Sequence, residues 1–135
     1  PGPKHIAEVK RMVGDRVKTI FGGFAGKFML DELRRGANGC MPACEIADLL
    51  AKVMQRWWAG DEPGARELHR RLLPLINLET YPFMRYMLKR RGVFSSLVER
   101  APAGAEALDE DDKREITILL QAIKDDIDCF PFGEE

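Results

Sequence analysis

Between a short β-branched and aromatic run and a helical pattern, the chain carries Gly22-Gly23-Phe24-Ala25-Gly26-Lys27. Backbone amides in such a glycine-rich turn, together with the N-terminus of the helix that follows, can hold an anion. The run is not a P-loop: the stretch between Gly22 and Gly26 is one residue short, and Phe28 stands where a serine or threonine would bind magnesium. The same glycines would also suit a tight turn with no ligand, which is the simpler reading. Spacing alone leaves both open.

The other chemistry-bearing residues are more scattered. His69 lies in Glu67-Leu68-His69-Arg70-Arg71, a charged helical face expected to be solvated, and His5 has no partner in sequence. Lys89-Arg90-Arg91 falls in a last helical turn, where cations are favoured by the helix dipole, so a solvated cap is expected rather than a phosphate site. Trp57-Trp58 and the Met84 and Met87 pair fit helix packing. Cys40, Cys44 and Cys129 form an odd set without a secretory signal, so free thiols are expected. Structural zinc usually takes four ligands with paired Cys or His spacing, and none is expected here. Lys18 and Lys27 are conceivable amine nucleophiles, but neither has a reason in sequence to be desolvated.

Two strands and several helices must position these residues. Ile6, Val9 and Val13 set a first helix over His5 to Val13, stopped by Gly14-Asp15. Val17 to Phe21 reads as a buried strand ending at Gly22-Gly23. Lys27 to Arg35 is helical through Met29, Leu30 and Leu33, with Arg34, Arg35 and Gly36 as cationic last turn and glycine cap. Gly39 to Ala43 is a second short strand. From Glu45, Ile46, Leu49, Leu50, Val53, Met54, Trp57 and Trp58 keep the helical period for more than three turns. Such alternation implies parallel strands with right-handed crossovers. Parallel strands need covered faces and paired edges, so two of them call for further βα units.

After Gly60 the pattern becomes wholly helical. Pro63 to Ile76 forms a helix with a bend expected at Pro74. A helix capped by Thr80 follows, with Phe83, Met84, Met87 and Leu88 on one face and Gly92 at its end. Val93 to Glu106 reads as irregular. A last helix has Asp109 to Asp112 at its positive end and Ile116, Leu119, Leu120, Ile123 and Ile127 on one face, and the tail from Cys129 is expected to be loosely held. This divides the chain into residues 1–59, with strands near 17–21 and 39–43, and a helical extension over 60–135.

Composition narrows the function classes. The 135 residues are 45% hydrophobic and 32% charged with a net charge of -1, which is globular and gives no basic patch for nucleic acid or acidic lipid. No apolar stretch reaches the roughly 18 residues of a membrane span. Nothing resembles a signal peptide, so a cytoplasmic setting is expected.

The run from Thr19 through Phe21-Gly22-Gly23-Phe24-Ala25-Gly26-Lys27 to Gly36-Ala37-Asn38-Gly39-Cys40-Met41-Pro42-Ala43 resembles the seventh strand, seventh helix and eighth strand of the dihydrodipicolinate synthase and N-acetylneuraminate lyase family. The helix that follows, Trp57-Trp58-Ala59-Gly60-Asp61 and the helix from Ala65 to Leu75 resemble the eighth barrel helix and the family's C-terminal extension. The resemblance implies an α/β fold: the last two βα units of a (β/α)8 TIM barrel, then a helical extension. It implies a lyase or aldolase whose lysine forms a Schiff base with pyruvate or a related 2-oxo acid, with a tyrosine as proton shuttle. Both would lie upstream of Pro1, so no catalytic residue is expected in this chain and the chain alone should be inactive. Barrel sites sit at the C-terminal face, and the substrate-binding positions carried over are Gly22, Gly23 and Met41. Pro42 departs from the small polar residue of many synthases, which favours a sugar-acid or other 2-oxo-acid lyase. The partner implied is that small substrate, with a homo-oligomer for the full-length protein; no cofactor or metal, nucleic acid or membrane is expected. The alternative is a helical interaction or assembly module without catalysis.

Overall fold

A computed structural model describes residues 2–78, 80–98 and 107–128. Helix α1 (Pro3–Val13) starts on a proline, whose missing N–H costs nothing in a first turn, and stops at Gly14, whose φ of 53° breaks the helix. Strand β1 (Phe21–Gly22), a 3₁₀ turn over Phe24–Gly26 and helix α2 (Met29–Arg34) follow. Gly36, at φ 100°, then turns the chain into β2 (Gly39–Cys40). A 3₁₀ turn over Cys44–Ile46 leads into α3 (Ala47–Trp58), and α4 (Glu62–Asn77), α5 (Tyr81–Arg90) and α6 (Glu110–Ile123) complete the described elements.

The strands are parallel, with Phe21 opposite Gly39 and Gly22 opposite Cys40. They are shorter than expected: Val17 to Ile20 and Met41 to Ala43 lie outside them, and Val17 and Phe21 are exposed rather than buried. The reason lies in the hydrogen bonds. Ile20 donates its N–H to the Asn38 side-chain oxygen at 3.0 Å and accepts the Asn38 N–H at 2.7 Å, so a side chain takes over where a ladder would continue. Among the described residues each strand has one partner only, and a two-stranded ribbon sustains little regular pairing. A Cβ on Gly39 would stand 2.7 Å from the Phe21 ring, so a larger residue there would displace that ring.

The core runs between helices. Leu49, Leu50 and Val53 of α3 pack on Ala65, Leu68, Leu72 and Ile76 of α4, and α4 meets Ile116, Leu120 and Ile123 of α6. Apolar side chains at the helical period make this sandwich; burying each contributes about 1.5–3 kcal/mol. The end of α6 is tied back by Arg71 to Asp126 at 2.8 Å and by Lys52 to Asp128 at 2.6 Å.

Several expectations need correction at residue level. Trp58 is exposed, while Trp57 and Met84 pack partly and Met87 fully. Thr80 occupies the N-cap of α5 without a side-chain capping bond. Residues 93–98 carry no helix or strand; residues 99–106 and the tail from Cys129 lie outside the described residues. The cap of α6 is complete: Asp109 accepts the Asp112 N–H at 2.8 Å and Asp112 accepts the Asp109 N–H at 3.1 Å. Asp109→Ala is therefore expected to lower stability by about 1 kcal/mol, read as a lower urea midpoint at unchanged slope, with Asp109→Asn keeping most of it. An unchanged midpoint in the alanine variant would remove this capping box from the account.

Candidate functional site

The C-terminal ends of β1 and β2 lie side by side, and there the three residues singled out as substrate-binding come together. The Met41 N–H donates to the Gly22 carbonyl at 3.0 Å, which continues the parallel pairing one step beyond the strands. Gly22 is buried, Gly23 half-buried, and the Met41 side chain is 67% exposed. Pro42, next to it, is exposed. In open parallel sheets and barrels alike, ligands bind at the carboxyl ends of strands.

The glycine turn has an unusual backbone. Phe24 (φ 51°), Ala25 (φ 54°) and Gly26 (φ 92°) are successive residues in the left-handed region. Two of them carry a Cβ that disfavours it, which costs on the order of 1–3 kcal/mol each and persists only where surrounding contacts dictate the shape. Two of the turn's amides bond within the chain. Gly26 donates to the Gly23 carbonyl at 3.1 Å, Lys27 donates to the Phe24 carbonyl at 2.8 Å, and the Glu32 carboxyl lies against Gly22. The carboxyl group that meets this turn is thus the protein's own Glu32. Phe24 sits edge-on to Phe28, ring centroids 6.1 Å apart.

Three residues that sequence reasoning missed or misplaced surround the turn or the base of α3. Glu32, from α2, is 4% exposed, and its Oε2 has no hydrogen-bond partner among the described residues. Burial pushes its carboxyl above the usual range, the Gly23 N–H pulls it partly back, and Asp31 adds to the rise. The folded state therefore favours the protonated acid, and the stability this contributes is fullest at acid pH and lost as pH rises through the raised value. Burial and the neighbouring Glu32 push the Cys40 thiol up to about 11, so it stays a packed thiol, 3.9 Å from the Gly23 carbonyl. Cys44 is exposed and free.

His69 is the second correction. It is 7% exposed, and its Nε2 lies 2.8 Å from the Gly26 carbonyl. A carbonyl only accepts, so Nε2 carries the proton. Burial holds its pKa below the ordinary histidine value, against the Gly26 bond, with Arg66 adding to the depression. The signal was present in sequence: His69 stands four residues after Ala65 and three before Leu72, within the apolar stripe, despite its charged neighbours. Arg91 is the third. It is not a solvated cap; it is 5% exposed and bonded to Asp48 and the Glu45 carbonyl. Lys18 and Lys27 are both exposed, as expected of lysines with nothing to desolvate them. Among the described residues no group of three or more His, Cys, Asp or Glu could hold a metal ion, and no helix is long and apolar enough to cross a membrane.

No protein-family model matches the chain, and no curated protein matches it. A solved structure does: a dihydrodipicolinate synthase from Rhodopseudomonas palustris superposes with a TM-score of 0.76 over 90% of this chain, at 30% sequence identity. The chain spans 42% of the length of that synthase. Mostly helical, with one small parallel sheet, it matches part of the synthase fold. The chain is thus similar in sequence and fold to part of that synthase, consistent with a C-terminal portion of a protein of the dihydrodipicolinate synthase family.

Proposed function

We propose that this chain is the end of a (β/α)8-barrel lyase that forms a Schiff base with pyruvate or a related 2-oxo acid. In this reading β1 and β2 are the last two barrel strands, residues 1–59 hold the last βα units and residues 60–135 form the helical extension. The lysine and tyrosine that perform the covalent and proton-transfer steps lie outside residues 1–135. Gly22, Gly23 and Met41 present backbone groups to the substrate. The observation that carries the reading is the parallel pairing of β1 and β2 with the Met41-to-Gly22 bond at their carboxyl ends, in a chain 30% identical to a synthase over 90% of its length.

The chemistry balances simply. A lysine amine condenses with the ketone and releases water; the resulting iminium draws electrons from the adjacent carbon, so a carbon–carbon bond there can form or break, or water can leave. Such a protein would work as a cytoplasmic homo-oligomer without a cofactor. The test is borohydride reduction of the full protein in the presence of pyruvate and a panel of larger 2-oxo acids, followed by intact and peptide mass measurement. One reduced adduct per chain, on a lysine outside residues 1–135, is expected. No adduct with any 2-oxo acid would overturn the lyase reading, and an adduct on Lys18 or Lys27 would overturn the placement of the lysine.

A second reading is favoured by a specific feature. Phe21 is 56% and Met41 67% exposed, and the outer edges of both strands are unpaired among the described residues. Exposed strand edges and apolar side chains recruit either more strands or a partner. If the isolated chain forms a stable, monodisperse complex and the full protein traps no 2-oxo acid, an assembly module becomes the better account.

A further inference from the structure

The glycine turn is gripped at both ends by buried titratable side chains from different helices. At its start, Glu32 of α2 lies so close to Gly22 that a Cβ there would be 1.8 Å from Oε2. At its end, His69 of α4 donates to the Gly26 carbonyl at 2.8 Å, and a Cβ on Gly26 would stand 3.0 Å from Leu50 of α3. Between these two grips lie Phe24 and Ala25, both left-handed against their own preference. An unfavourable backbone shape persists only where surrounding contacts dictate it. The unpartnered Oε2 of Glu32 also costs free energy in a buried position, a cost that packing alone would remove by placing an apolar residue there.

We propose that Glu32 and His69 are positioning residues that together clamp the Gly22–Lys27 turn in its left-handed shape, so that the strand ends meet substrate in one geometry. The clamp rests on the lyase reading for its purpose and on geometry alone for its existence. It gives the helical extension a part in the site, because His69 belongs to α4 and reaches the turn from outside the βα units. Neither side chain touches the reacting atoms; each acts through the backbone it holds.

The test uses the full protein, with Glu32→Ala, His69→Ala, the conservative Glu32→Gln and His69→Gln, and Asp109→Ala as a variant that lowers stability far from the turn. Amide hydrogen exchange of the peptide covering Gly22 to Lys27 is read first. Faster exchange there in both alanine variants, restored in both glutamine variants and absent in Asp109→Ala, supports the clamp; unchanged exchange in the alanine variants overturns it. Kinetics are read second. The alanine variants are expected to lose up to about 100-fold in kcat/KM for the 2-oxo acid, mostly through KM, with recovery in the glutamine variants. An equal loss in Asp109→Ala would mean that stability, not positioning, is responsible, and would overturn the functional part. If the wild type traps no 2-oxo acid, the lyase reading fails, and the exchange result still decides the clamp.

Discussion

Arg91→Ala is expected to lower folding stability by about 3–5 kcal/mol, a large share of the roughly 5–15 kcal/mol that holds a typical domain together. Arg91 follows α5 and reaches to the start of α3. Its Nη1 donates to the Glu45 carbonyl at 2.5 Å and to Asp48 Oδ1 at 2.9 Å, and its Nη2 donates to Asp48 Oδ2 at 2.6 Å. Two parallel bonds between a planar guanidinium and a carboxylate are the strong form of this interaction, and removing the cation leaves Asp48 half-buried without it. Burial alone would raise the Asp48 pKa, but the bonds and charge of Arg91 outweigh it and hold the carboxyl below its ordinary value. The pair therefore stabilises fully above the unfolded pKa of an aspartate, and that stability is lost as pH falls through the lowered value. Urea unfolding of wild type and variant from neutral to acid pH reads both parts. The gap should be widest at neutral pH and narrow on acidification. Arg91→Lys, with a point charge in place of a fork, should fall between the two. A neutral-pH loss under 1 kcal/mol for the alanine variant would show that the pair contributes no more than a surface ion pair does.

Gly22→Ala is expected to cost about 1–3 kcal/mol, the range for forcing an extra methyl into a filled site. The added Cβ would lie 1.8 Å from Glu32 Oε2 and 2.5 Å from Glu32 Cδ. A carboxyl at the end of a side chain can move, but Glu32 is 4% exposed, so any movement must displace packed neighbours. The cost is thus set by Glu32 and not by the glycine's own dihedral freedom. Combining Gly22→Ala with Glu32→Ala separates the two: with the carboxyl gone, the methyl has room, and the double variant should be less destabilised than the sum of the singles by at least about 0.5 kcal/mol. Strict additivity in thermal or urea unfolding would show that the two residues do not meet. On the lyase reading proposed above, the same substitution in the full protein should weaken 2-oxo-acid trapping, since it crowds the strand end at which Met41 pairs with Gly22.

The helices were legible because their information is local. Leu49, Leu50 and Val53, then Ala65, Leu68 and Leu72, repeat at the helical period and are buried where that period puts them. Glycines and charges marked the ends well, as Gly14, Gly36 and Gly92 do by positive φ. The strands were harder. Their existence and parallel order followed from alternation, but their length depends on a neighbour to pair with, and Asn38 took up the bonds of Ile20 that a longer ladder would have used.

The sequence by itself determined the helix pattern, the two parallel strands, the glycine turn after the first of them and the likeness to a synthase family, because period, caps and a contiguous motif are properties of neighbouring residues. The tertiary structure alone decided what holds that turn. Glu32 is close to Gly22 and Gly23 in sequence, yet only the packing of α2 against β1 turns its carboxyl inward. His69 is 43 residues from Gly26 and Arg91 is 43 from Asp48. A charged or polar side chain is solvated by default, and what overrides the default is a partner brought near by the fold and the loss of water around both.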